Sequence, residues 1–267
     1  MMTHIENDSK ILHQAALKIS GIFGAAAGKP EGKILKHRPQ EIFPAASLIK
    51  IPILIALLEE AQKGNLRISE VIFLKKTDKV GGSGILFELH ERIPLTLLDL
   101  AALMIVISDN TATNLLIERI GMTVIQKKIL KYGLKNTILG RKLMVAPDDP
   151  PANFTTPMDM FVLFQKLVSG KLLSKKYTVL ALNILSRQQY NEKIPLLLPK
   201  KVKVAHKTGE ISGVRHDCGI MLDGRRKLIV CFLTKNLKDE LGTDRLLAEL
   251  SLELYQFFFK LPYPGNL

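Results

Sequence analysis

The segment Phe43-Pro44-Ala45-Ala46-Ser47-Leu48-Ile49-Lys50-Ile51-Pro52 opens the most apolar helix the sequence predicts, over residues 47–63. A spacing of three on a helix brings Ser47 and Lys50 onto one face, a turn apart. A serine hydroxyl is a poor nucleophile until a base takes its proton, and a lysine does so when burial or nearby cations lower its pKa. N–H groups at the helix start can meanwhile stabilise a developing oxyanion. Alone the pattern is common, and its ordinary reading is an N-capping serine with a lysine reaching along the helix to solvent.

Before this segment, an apolar face carrying Ile11, Leu12, Ala15, Ala16 and Ile19 predicts a first helix starting at Asp8 or Ser9. Strands follow at 20–27 and 33–36, joined by a turn at 28–32. Beyond it the signals are helical, at 96–107, 111–119, 123–132, 157–169 and 174–187. Thr156-Pro157 supplies an N-cap and a first-turn proline, and Gly170 a stop. After Pro199 the period returns to strands at 202–207, 217–222 and 227–234, and a last helix runs over 239–259. The expected fold is α+β: a three-layer α/β/α sandwich around an antiparallel sheet, plus an all-helical domain. Residues 1–44 and 186–267 together are expected to form the sheet domain and 45–185 the helical one, with the active site at their interface.

Composition narrows the function classes. At 267 residues and 47% hydrophobic the chain fills a sizeable core, which argues against disorder. No apolar run is long enough to span a bilayer, because Ile51 to Leu58 is followed at once by Glu59, Glu60 and Gln62. The polar first ten residues lack the pattern of an export signal, so the chain is read either as cytoplasmic or as one whose signal is removed or omitted. The net charge of +13 is spread in short clusters such as Lys75-Lys76, Lys127-Lys128 and Lys200-Lys201 with no aromatic-interleaved basic stripe, so it reads as solvated surface and no nucleic-acid partner is expected. Cys218 and Cys231 flank a turn at 223–226 in a register that puts them opposite each other. Two buried unpaired thiols is the leading reading there, and a disulfide the other.

Two further motifs raise the Ser47–Lys50 pair above chance. Ser108-Asp109-Asn110 lies between two predicted helices, and Lys207-Thr208-Gly209 ends a predicted strand. Ser-x-x-Lys, Ser-Asp-Asn and Lys-Thr-Gly in this order resemble the class A β-lactamases and penicillin-binding proteins. The resemblance covers nearly the whole chain and is densest over 43–53, 97–114 and 204–220.

The resemblance implies an acyl-transfer enzyme that opens a β-lactam amide or cleaves a peptidoglycan-like peptide through an acyl-Ser47 intermediate. Ser47 would be the nucleophile and Lys50 its proton acceptor or relay. Ser108 would pass a proton to the leaving nitrogen, and Asn110 would hold the substrate's side-chain amide. Lys207 would sustain positive potential, while Thr208 beside Gly209 would bind the substrate carboxylate. The oxyanion hole would be the N–H groups of Ser47 and Glu210. Arg215 falls where many relatives place a cation for that carboxylate, with a plain surface strand residue as the other reading. Asp109 is read as structural. The resemblance further implies a monomer outside the cytoplasmic membrane. No metal or cofactor is expected.

The sequence departs from the class A pattern in one place. The Glu-x-x-Leu-Asn motif, whose glutamate drives water onto the acyl-enzyme, is absent, and no glutamate occurs between Glu118 and Glu192. The corresponding loop carries only Asp148 and Asp149, which are the candidate deacylation bases and otherwise cap the turn or pair with Arg141. An aspartate reaches about one methylene less than a glutamate, so slow deacylation is expected. Gly81-Gly82-Ser83-Gly84 lacks the ending of a phosphate loop and reads as a flexible turn. His206 and His216 read as neighbours of the strand motifs only.

Overall fold

A computed structural model describes residues 4–144 and 152–261. The chain runs α1 (His4–Lys18), β1 (Ile22–Gly28), β2 (Ile34–His37), β3 (Phe43–Pro44) and α2 (Lys50–Gln62), then β4 (Val71–Phe73) and β5 (Pro94–Thr96). Next come α3 (Leu97–Val106), α4 (Asn110–Ile120), α5 (Met122–Lys131), β6 (Phe154–Thr155), α6 (Pro157–Val168) and α7 (Lys175–Leu185). It closes with β7 (Lys203–Ile211), β8 (Val214–Asp223), β9 (Arg226–Lys235) and α8 (Glu240–Phe259).

The strands from the two chain ends form one antiparallel sheet in the order β2-β1-β9-β8-β7. Alternation along them sorts side chains to two faces. Phe23, Met221, Val230 and Phe232 face α1 and α8, where they meet Leu12, Leu247, Leu254 and Tyr255. Cys218, Ile220, Ile229, Cys231 and Leu233 face the helical side. β1 is rich in alanine and glycine because neighbouring structure comes close: a Cβ on Gly24 would lie 2.7 Å from the Phe43 ring.

Residues 51–58 of α2 are all buried, the state a helix apolar all round requires. Its core is continuous with the inner face of the sheet. α6 lies against β1, β8 and β9, so this helix from the central part of the sequence covers the sheet. Thr156 caps it by accepting from the Asp159 N–H at 3.1 Å, with Pro157 at its first position. The α/β/α architecture expected from the sequence is the one observed.

Two local outcomes bear on the site. The predicted helix over 47–63 begins as a 3₁₀ turn, Ala46–Ile49, that runs into α2, and Ala46 just before Ser47 has φ 44°. Cys218 and Cys231 stand opposite each other on β8 and β9 as two free, buried thiols, which is the leading sequence reading. Among the described residues no helix is long and apolar enough to cross a membrane.

Candidate active site

Ser47 enters on the 3₁₀ turn, Lys50 on the first residue of α2, Ser108 to Asn110 on the α3–α4 junction, and Lys207 to Glu210 on β7. Ser108 has φ 59°. Left-handed backbone at Ala46 and Ser108, both outside glycine, is strain of the kind that functional turns hold.

Lys50 is wholly buried, and its Nζ is 3.0 Å from Ser47 Oγ, 3.0 Å from Ser108 Oγ, 2.7 Å from the Ser108 carbonyl oxygen and 2.8 Å from Asn110 Oδ1. The two carbonyl-type oxygens can only accept, whereas the hydroxyls can donate. A neutral amine has two N–H groups, which suffice for those two oxygens and leave its lone pair for a serine proton. Burial holds the Lys50 pKa well below the ordinary lysine value, the charge of Lys207 lowers it further, and Asp109 opposes them. The orientation of Asn110 is pinned independently, since its Nδ2 donates to the Gly81 carbonyl at 3.1 Å.

The chain of contacts extends in both directions. Ser108 Oγ donates to Ser47 Oγ at 2.8 Å, and Lys207 Nζ donates to Ser108 Oγ at 3.1 Å and to the Thr208 carbonyl at 2.8 Å. Complete burial lowers the Lys207 pKa to about 7 against the pull of Asp217 and Glu210, with Lys193 assisting.

β7 is the edge strand, and its register decides which backbone groups it offers. Glu210 pairs with Arg215, whose N–H donates to Thr234 Oγ1 at 2.8 Å and whose carbonyl accepts from that hydroxyl at 2.6 Å. With the Arg215 backbone turned to β9, antiparallel geometry turns the Glu210 N–H and C=O to the open edge. Ser47 lies on that edge, since a Cβ on Gly209 would be 3.3 Å from the Ser47 nitrogen. A cleft of about 160 Å³ opens there, lined by Ser47, Ser83, Ser108, Tyr190, Thr208 and Glu210.

Eight of the candidate residues named from sequence, Ser47, Lys50, Ser108, Asn110, Lys207, Thr208, Gly209 and Glu210, thus lie in or beside one cleft, while Arg215 is not among its lining residues. The Arg215 guanidinium pairs with Glu240, lies 3.6 Å from Asp244 on α8, and donates to the Val214 carbonyl at 3.0 Å. Carboxylates of α8 already hold it, which favours the other reading of Arg215, a strand residue with no part in binding the substrate carboxylate. Asp148 and Asp149 lie outside the described residues.

Sequence reasoning also missed two parts of the site. The 81–84 segment is not a loose turn: the Ser83 carbonyl accepts from the Asn110 N–H at 3.0 Å, and Asp109 accepts from the N–H groups of Ile85 at 2.7 Å and Leu86 at 2.9 Å. Asp109 also caps α4 through the Ala112 N–H at 2.8 Å. Tyr190, which no motif marks, forms a wall of the cleft. The histidines prove to be braces. His206 bonds Asp217 at 2.8 Å and Asn191 at 3.2 Å, and His216 donates to the Pro44 carbonyl at 2.8 Å while accepting from the Thr234 N–H at 3.1 Å. Burial takes the His216 pKa down to about 4, so it stays neutral.

With this geometry in place, comparison with known proteins is decisive. The model of the "Beta-lactamase enzyme family" matches residues 14–258. The chain belongs to the beta-lactamase enzyme family. Among curated members of that family it is 24% identical to beta-lactamase BRO-1 of Moraxella catarrhalis, covering 90% of this chain and 80% of the relative. It is 28% identical to a beta-lactamase of Streptomyces cellulosae, covering 91% and 80%. Among solved structures, a beta-lactamase of Sphaerobacter thermophilus superposes with a TM-score of 0.90 at 32% identity, covering 96% of this chain and 98% of that one. PBP-A superposes at 0.88 with 29% identity, covering 97% of each. The β-lactamase/transpeptidase-like fold of this family member is thereby established.

Proposed function

We propose that the chain is a serine hydrolase that opens β-lactam amides through an acyl-Ser47 intermediate. The observation that carries this reading is the contact of Ser47 Oγ with a buried, charge-depleted Lys50 and with Ser108 at the same time. Lys50 takes the Ser47 proton as Oγ attacks the lactam carbonyl, and the carbonyl oxygen charges within reach of the Ser47 and Glu210 N–H groups. Ser108 delivers a proton to the departing ring nitrogen and is replenished from the Lys207 and Lys50 ammonium groups it touches. Thr208, on the cleft wall, receives the substrate carboxylate, and Lys207 provides the positive potential behind it. Asn110 positions the substrate's side-chain amide from beside the cleft.

A second reading concerns release. The family's usual loop glutamate is absent here, and losing a positioned general base slows that step by about 10²- to 10⁴-fold. The similarity to PBP-A, a mutant of which is known as an acyl-enzyme complex with penicillin G, supports a protein that acylates and then holds the ester. A D-Ala-D-Ala peptidase or esterase uses the same acylation machinery.

Mixing the protein with a chromogenic cephalosporin, while following colour and intact mass together, separates these readings. Steady turnover supports the hydrolase. One burst with a persistent adduct supports the stalled penicillin-binding form, and no reaction directs the search to peptides and esters. An adduct that still forms in Ser47→Ala sinks the nucleophile assignment. Unchanged deacylation in both Asp148→Asn and Asp149→Asn removes those two as bases.

A further inference from the structure

The far end of the sheet carries a feature the reaction at Ser47 does not use. Two adjoining hollows, about 370 Å³ and about 560 Å³, open where the β1–β2 and β8–β9 turns meet the end of α8. Their walls bring together Lys29, Lys33, Arg225, Arg226, Lys227 and Lys260, with Glu31 as the one acidic side chain lining either hollow among the described residues. Between these cations stand Phe257, Phe258 and Phe259, all half-buried. The Arg226 guanidinium sits 4.8 Å from the centre of the Phe259 ring, and Lys29 Nζ 5.8 Å from it.

We propose that this end of the sheet docks the protein on an anionic phospholipid surface. Cations ringing aromatic side chains are what an interface of phosphate headgroups and acyl chains accommodates, because the charges meet phosphate while the apolar rings enter the boundary. A nucleic-acid strand fits less well. It needs open ring faces for stacking, whereas Phe257 and Phe258 meet edge to face at 5.3 Å and Phe259 lies under Arg226. The net charge of +13 adds long-range attraction of the same sign. The hairpin tip at Asp223 is six residues along β8 from Asp217, the partner of Thr208, so the cleft stands roughly 20 Å from the docking end. A protein seated this way keeps its cleft clear of the lipid.

The chain contains no tryptophan, so Phe258→Trp is a single reporter inside the patch. Added phosphatidylglycerol vesicles are expected to shift its emission to the blue and to sediment with the protein, and phosphatidylcholine vesicles to do neither. The variant Lys29→Glu/Arg225→Glu/Lys260→Glu is expected to weaken sedimentation by about tenfold or more. The control Lys76→Glu/Lys127→Glu/Lys135→Glu changes three exposed lysines elsewhere by the same total charge and is expected to bind within about threefold of the parent. Equal loss in both variants means binding by bulk charge and overturns the proposal, as does an absent shift with phosphatidylglycerol. Thermal unfolding of each variant verifies that it is folded. Should the patch variant fail to fold, the Phe258→Trp shift decides alone.

Discussion

Lys207 Nζ lies 3.1 Å from Ser108 Oγ, so the hydroxyl beside Ser47, the proposed nucleophile, hangs on an ammonium group that burial has brought to a pKa of about 7. A lysine lowered in this way is charged below its folded pKa and neutral above it. Affinity for anionic β-lactams is therefore expected to fall as pH rises through about 7, while a neutral ester of the same ring system shows no such alkaline limb. Initial-rate KM values for the acid and its ester from pH 6 to pH 9 give the comparison, and identical profiles refute the assignment. For stability the sign is opposite: the unfolded state binds the extra proton between about 7 and 10.5, so the Lys207 contribution improves as pH rises across that window.

Gly84 has φ +112°, and a Cβ there would lie 2.3 Å from an Asp109 carboxylate oxygen. Gly84→Ala is expected to displace the cap of α4 and with it Ser108. A loss of about 2 kcal/mol in stability is expected from the backbone conflict. Acylation is expected to slow by at least about tenfold. Urea unfolding and single-turnover acylation measure the two, and a variant with parental rates shows that the loop is not a support of the site.

Arg215 binds α8 rather than the cleft, so Arg215→Ala is expected to change KM for an anionic cephalosporin less than about threefold. The same variant leaves Glu240 and Asp244 facing each other without their shared guanidinium, and its melting temperature is expected to drop. A large rise in KM with unchanged melting would restore the carboxylate-binding role.

Glu59, near the end of α2, is buried, and it accepts from Lys128 at 2.8 Å and from the Tyr132 hydroxyl at 2.7 Å. Burial alone would raise its pKa, but Lys128, Lys63, Tyr132 and Lys131 together hold it well below the glutamate range. A carboxyl with a depressed pKa stabilises above its unfolded value of about 4.5, and that support is lost as pH falls further. Glu59→Gln is expected to cost about 2 kcal/mol at pH 7, less than a fully enclosed pair because Lys63 and Lys131 reach solvent. The difference from the parent protein is expected to shrink toward pH 3. A pH-independent difference in chemical denaturation would mean that the charge of Glu59 contributes nothing.

The sequence by itself determined the order of the layers and which residues are the candidates for the site. Helix spacing relates Ser47 to Lys50, turn chemistry places Ser108 between two helices, and strand arithmetic sets Cys218 opposite Cys231, because each of these depends on residues near one another along the chain or across one tight hairpin. Tertiary structure decided what depends on partners far away in sequence. Arg215 and His216 are adjacent, yet one meets Glu240 and the other the Pro44 carbonyl, and strand alternation alone does not say which face holds the acids. The role of Gly84 emerges only once Asp109 packs against it. The basic aromatic end of the sheet was invisible for the same reason, since Lys29, Arg225 and Phe258 stand on three separate segments that only the closed antiparallel sheet brings together.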